Sequence, residues 1–127
     1  MKRLFLALFL ALLFTIPSCS DYSWTIAGTW ILSSGSCDNS DGLAINYSIG
    51  DREYITLGGY GLCRRNIQIN AGTDYDVVGT WSATESVLTF VISSAPYSGT
   101  VSYNYSVSGD TLTISNGSGT LVYTRQW

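Results

Sequence analysis

The sequence predicts an all-β domain, a small antiparallel up-and-down β-barrel of eight or nine strands, and three observations predict it. Beyond the first twenty or so positions apolar residues recur at every second place, the period of a half-buried strand. Turn-forming pairs interrupt that alternation at short, regular intervals. The connections are too short for anything but neighbour-to-neighbour hairpins, and a long meander rids itself of exposed edges by closing. A two-sheet β-sandwich is the alternative.

The predicted strands, in order, are 26–34, 43–49, 53–58, 63–69, 76–83, 86–93, 99–107, 111–115 and 120–125. The first sets Ile26, Gly28, Trp30 and Leu32 on one face. The second alternates Leu43, Ile45, Tyr47 and Ile49 with Ala44, Asn46 and Ser48. Gly58-Gly59-Tyr60-Gly61 separates the third strand from the fourth. The sixth alternates Leu88, Phe90 and Ile92 with Thr89 and Val91. The seventh is the clearest, with Val101, Tyr103, Tyr105 and Val107 against Thr100, Ser102, Asn104 and Ser106. Leu112 and Ile114 mark the eighth, and Leu121, Tyr123 and Arg125 share the inward face of the last. Asp41-Gly42, Gly50-Asp51, Ala71-Gly72, Pro96 with Gly99, Gly109-Asp110 and Asn116-Gly117 supply turns, and Gly109-Asp110 reads as a two-residue hairpin.

The N-terminus is of a different kind. Lys2 and Arg3 precede an apolar run from Leu4 to Ile16, followed by Pro17-Ser18-Cys19-Ser20. A basic head, a short apolar core and a small residue describe a secretory signal. The run falls short of the roughly 20 residues that span a bilayer. Ser18-Cys19 resembles the lipobox of bacterial lipoproteins, in which the cysteine is acylated and becomes the new N-terminus, although Ile16 and Pro17 depart from its usual pattern. An ordinary secretory signal cut near Ser18 is the alternative. The resemblance implies a lipoprotein signal peptide at 1–18, a lipidated tether at 19–24 and one β-barrel domain at 25–127. It places the protein in the bacterial cell envelope, lipid-anchored at Cys19. Ser20 stands where an inner-membrane retention aspartate would be, which points to the outer membrane.

The formal net charge is −3, and removal of Lys2 and Arg3 makes it more negative still. The acids are scattered, so the charge serves solubility, and nucleic acid is disfavoured as a partner. A monomer is expected. Of the 3 cysteines, lipidation of Cys19 leaves Cys37 and Cys63, and in an oxidising compartment a disulfide between them is the expectation. It would close a loop of about 27 residues, worth roughly 3–4 kcal/mol. Two free thiols are the alternative.

Gly28-x-Trp30 opening the first strand, the run of hairpins and Arg125 on the last strand resemble the lipocalin pattern. Gly79-x-Trp81, Leu88-Thr89-Phe90, the stretch YSVSGDTLTIS at 105–115 and the closing LVYTR at 121–125 resemble the short bacterial lipocalin-like lipoproteins. Full lipocalins are longer and carry a C-terminal helix that has no counterpart here. The resemblance implies that Gly28, Trp30 and Arg125 close one end of the barrel, the guanidinium lying over the indole. Ala27-Gly28-Thr29-Trp30 recurs as Val78-Gly79-Thr80-Trp81, which reads as one strand-opening device used twice.

No catalytic set is visible. With no histidine, the usual activation of a serine or cysteine nucleophile is unavailable, and no enzyme activity is expected. Most aspartates sit in turn-like contexts, and Asp38-Asn39-Ser40-Asp41-Gly42 lacks the downstream glutamate of a calcium loop. No metal and no cofactor are expected. The remaining functional material is aromatic. Tyr47, Trp81, Phe90, Tyr103, Tyr105 and Tyr123 fall on inward faces as candidate ligand-lining residues, or else simply fill an eight-stranded barrel. Tyr54, Tyr60, Tyr75 and Tyr97 lie in or near loops, where they suit contacts with a protein or carbohydrate. The leading expectation is a lipid-anchored module that binds a small apolar or amphipathic ligand at the barrel's open end. The alternative is a protein-interaction, inhibitor or structural envelope lipoprotein with a filled barrel.

Overall fold

The structure, a computed structural model, describes residues 23–38, 44–70, 72–94 and 98–127. Leu43, Tyr97 and the lipidation candidate Cys19 lie outside them. A single helical turn, α1 (Ser23–Ile26), leads into β1 (Gly28–Asp38), β2 (Ala44–Asn46), a 3-10 turn (Tyr47–Ile49), β3 (Arg52–Leu57), β4 (Leu62–Ile69), β5 (Thr73–Ala83), β6 (Val87–Ile92), β7 (Gly99–Ser108), β8 (Thr111–Asn116) and β9 (Gly119–Gln126). All neighbours are antiparallel, and β9 returns to pair with β1 from Thr29–Gln126 to Ser36–Thr120. Eight strands, β1 and β3 to β9, therefore close a barrel, and β2 is an extra strand hydrogen-bonded to the tail of β1.

Alternation carries through to burial. In β3, Glu53, Ile55 and Leu57 are buried while Tyr54 and Thr56 are exposed; in β7, Val101 and Tyr103 are buried while Ser102 and Asn104 are exposed. The inward set forms one core, with Trp30, Tyr103, Tyr123 and Phe90 its largest fully buried members. β1 serves three neighbours, and it does so by bending. Its pairing with β9 shifts between Leu32 and Ser34, and Ser33 Oγ donates to the Val122 carbonyl at 3.0 Å. A bulge of this kind turns a strand without ending it.

Two expectations are corrected. The second strand stops at Asn46 and does not run on to residue 49. The Asn46 carboxamide accepts the Ser48 backbone N–H at 3.0 Å and the Ser48 hydroxyl at 2.7 Å, and Gly50 adopts φ 104°, so the chain coils into the 3-10 turn. Ile49 is left 59% exposed. The expected Cys37–Cys63 disulfide is not formed; both cysteines are buried free thiols. Register gives the reason. Cys63 pairs with Leu57, which pairs with Gly28, so Cys63 lies at the end where β1 begins. Cys37 lies where β1 finishes, with its thiol on Asn116 Oδ1 at 3.2 Å. The two sit toward opposite ends of the barrel.

Candidate functional site

The end where β1 begins, here the basal end, is sealed. Trp30 points inward from β1, and its indole N–H donates to the Ile26 carbonyl at 2.9 Å. The Arg125 guanidinium carbon lies 4.2 Å from the Trp30 ring centroid. Its Nη1 donates to Ala27 O at 2.8 Å and its Nη2 to Thr25 O at 2.7 Å, so one side chain both caps the indole and ties down the chain leading into β1. Gly28 permits this, because at φ +134° a Cβ would stand 3.0 Å from Arg125 Nη1. Trp81, of the second Gly-x-Trp, helps close the same end: its indole N–H donates to Gly58 O at 3.0 Å.

The barrel interior holds a buried ion pair. Glu53 and Arg65 are 0% and 3% exposed. Ile55 faces Arg65 and Glu53 faces Ile67, so the pair is diagonal on adjacent strands. Arg65 Nε and Nη2 donate to Glu53 Oε2 at 3.1 and 2.9 Å, and Nη2 also reaches Oε1 at 3.1 Å. Arg65 Nη1 donates to Tyr103 Oη at 3.3 Å, and Tyr123 Oη donates to Glu53 Oε1. The guanidinium also lies 5.1 Å from the Phe90 ring centroid. Burial works against the charge on Arg65, but Glu53, Tyr103 and Tyr123 together outweigh it and hold the guanidinium well above its ordinary range. Burial, then Glu53, pushes the Tyr123 phenol well up; burial raises Tyr103 too, against the opposing pull of Arg65. Among the described residues no buried side-chain nitrogen or oxygen lacks a hydrogen-bond partner.

The six candidate ligand-lining aromatics therefore do not converge on one cavity. Phe90, Tyr103 and Tyr123 pack in the interior around the ion pair. Trp81 and Tyr105 lie toward the basal end, Tyr105 with its hydroxyl on Thr84 O at 2.5 Å. Tyr105 also borders a shallow groove there of about 570 Å³. Tyr47 sits at the opposite, upper end, half-buried, with the Arg52 guanidinium carbon 4.1 Å from its ring centroid. An eight-stranded barrel is just wide enough for such side chains to fill it.

A cleft of about 660 Å³ opens at the upper end. It runs between the tail of β1 (Ser36 to Asp38), β2 with the 3-10 turn, Asp51, the end of β4 and Ser118 of the β8–β9 turn. Ile45, Ile49 and Ile69 give it apolar surface; Asn46, Asn70, Ser36 and Ser118 give it donors and acceptors. Asp51 holds it together. The carboxylate is 2% exposed and accepts the Asn46 backbone N–H at 2.8 Å through Oδ2 and the Asn70 N–H at 3.0 Å through Oδ1. Gly50 is needed beside it, since a Cβ at φ +104° would stand 2.7 Å from the Asn70 side chain. Cys37 lies in the floor, 3% exposed, its thiol pushed up by burial against the Asn116 hydrogen bond. A thiol so placed is held away from the reactive thiolate form. Among the described residues no group of three or more His, Cys, Asp or Glu side chains could hold a metal ion.

The sequence marks Asp51 only as a turn residue and singles out neither Glu53 nor Arg65. A signal for the latter two was present: Glu53 shares the period-two face of Ile55 and Leu57, and Arg65 that of Cys63 and Ile67. The Gly50-Asp51 turn marks Asp51 as an aspartate that binds backbone N–H groups, but not which ones, since they come from two other segments.

Comparison with known proteins agrees with this architecture. The crystal structure of a lipocalin-like protein from Bacteroides uniformis ATCC 8492 is similar with a TM-score of 0.58 and 13% identity, covering 80% of this chain and 98% of that one. That of an uncharacterized protein from Bacteroides eggerthii DSM 20697 is similar with a TM-score of 0.55 and 9% identity, covering 79% and 98%. At such identities the likeness concerns the fold. No curated protein matches the sequence. The lipocalin-like domain family matches residues 26–125, the whole barrel from the end of α1 to Arg125. This chain belongs to the lipocalin-like domain family.

Proposed function

We propose that this protein is a lipid-anchored binding module of the bacterial cell envelope, not an enzyme, and that it holds a small amphipathic molecule in the upper-end cleft. The observation that carries the reading is a barrel packed through its interior with an open cleft of about 660 Å³ at its mouth. That volume lies within the roughly 300–1,000 Å³ range of small-molecule sites. The three isoleucines take the apolar part of such a ligand, and the Asn46 and Asn70 side chains its polar part. The anchor is Cys19, from its place at the end of the apolar run.

Native mass spectrometry of protein purified from its own host should find a retained small molecule. Nile red, an uncharged amphipathic probe, should brighten on binding, and Ile49→Asp should abolish the effect, because Ile49 is exposed at the cleft and replaceable without unfolding. A protein with no retained molecule and no Nile red response would favour the second reading, a protein-interaction or structural envelope lipoprotein, which the filled interior supports. Cys19→Ala protein that still partitions with membranes would sink the anchor, and density-gradient fractionation tests the outer-membrane location.

A further inference from the structure

We propose that an arc of the basal end, Tyr60, Leu62 and Trp127, rests on the surface of the lipid bilayer, so that the cleft opens away from the membrane; this builds on the anchor at Cys19. Three observations meet at that arc. The first is where the chain arrives. The described domain starts at Ser23 and enters β1 at Gly28, at the basal end. Cys19 lies four residues before Ser23, and four residues fully extended reach at most about 14 Å. An acylated Cys19 thus holds the basal end, and no other part of the barrel, close to the headgroups.

The second is what the arc displays. Tyr60 is 100% exposed, Leu62 65% and Trp127 92%. Register makes them neighbours of the entering chain: Thr29 pairs with Gln126, which sets Trp127 beside the start of β1 on one side. Gly28 pairs with Leu57, which sets the β3–β4 connection carrying Tyr60 beside it on the other. Among the described residues the other large exposed apolar side chains do not gather there: Tyr54, Val78 and Val91 stand on strands β3, β5 and β6 of the wall, and Ile49 borders the cleft. Tyrosine and tryptophan favour the bilayer interface because each joins an apolar ring to a polar tip.

The third is charge. Residues 58–63 contain no charged side chain. Among the described residues the acids of the basal end, Glu85 and Asp110, belong to the β5–β6 and β7–β8 connections. Arg125, whose guanidinium carbon lies 5.4 Å from the Trp127 ring centroid, is engaged by the Thr25 and Ala27 carbonyls. An electroneutral lipid surface fits this arc, and the acid at its edge, Asp110, faces Arg125, with Nε 4.0 Å from its Oδ1.

The test uses the acylated mature protein in phosphatidylcholine vesicles with brominated acyl chains, its Cys19 acylation first verified by mass. Tryptophan emission should be blue-shifted and quenched relative to unbrominated vesicles, and most of the quenching should be lost in Trp127→Phe. Tyr60→Ser with Leu62→Ser should reduce the quenching while the protein stays vesicle-bound through its lipid. Acylated, vesicle-bound protein with the same emission in both vesicles overturns the docking and leaves the anchor standing. Absence of the acyl mass overturns both. Self-association that disappears in Tyr60→Ser with Leu62→Ser would show that a second copy covers the arc, and would overturn the bilayer contact.

Discussion

Trp30 is the residue on which the basal end turns. Its ring is fully buried, its N–H is satisfied by Ile26 O, and its outer face is covered by Arg125. Truncation of a buried tryptophan costs about 3–5 kcal/mol, so Trp30→Ala should lower the melting temperature sharply. Arg125→Ala should cost less, through the lost indole contact and two carbonyl hydrogen bonds. A double-mutant cycle by urea denaturation should show coupling between the two; strict additivity would mean that the stack contributes nothing. The cysteines make a second prediction at this scale. Cys37 and Cys63 are free and buried, so the unreduced protein should label at both only after denaturation. A mature protein with no free thiol in denaturant would contradict the register that keeps them apart.

Among the elements, the segment from β2 to the start of β3 is the one held by side chains more than by strand pairing. β2 contributes three residues, and the turn after it is fastened by Asp51 to both Asn46 and Asn70. Asp51→Ala would leave two backbone N–H groups without their acceptor, each worth about 1–3 kcal/mol when buried. The variant should lose at least about 2 kcal/mol of stability in urea and weaken Nile red binding, because one wall of the cleft is no longer tied to the other. Loss of stability with unchanged probe binding would detach Asp51 from the cleft.

For the molecule as a whole, the decisive feature is a charged pair in the middle of a small core. Removing one partner of a buried pair costs about 3–5 kcal/mol, since the other is left charged and dry. Arg65→Met should therefore destabilise more than the double change Glu53→Leu with Arg65→Met, a reversal of ordinary additivity that denaturation can measure. The same burial makes the fold sensitive to alkali. Tyr103 and Tyr123 are raised above the ordinary 10.0, and both thiols above 9.0. The unfolded chain gives up these protons first, so their contribution is full below pH 9 and is lost progressively as pH rises through 9, 10 and beyond. Urea midpoints should fall steeply from pH 9 to 11, and less steeply in Tyr123→Phe; equal slopes would clear Tyr123 of the effect.

The sequence by itself determined the all-β class, the hairpin order from β3 to β9 and most of the inward set, because period-two burial is written in those strands and each turn is chemically local; the displacement of β2 from the meander to the tail of β1 was not legible. It also placed Trp30 and Arg125 on inward faces at the first and last strands, which closure makes neighbours. Only the tertiary structure decided what those positions do. Closure brought Glu53 and Arg65 together with Tyr103 and Tyr123 from distant strands, turning aromatic positions that suited a ligand into a filled interior. Register separated Cys37 from Cys63, which cysteine arithmetic had paired. The cleft, too, exists because Asp51 gathers backbone groups from two segments. Alternation reports which way a side chain faces; whom it meets across the barrel depends on shear and register, which no local pattern encodes.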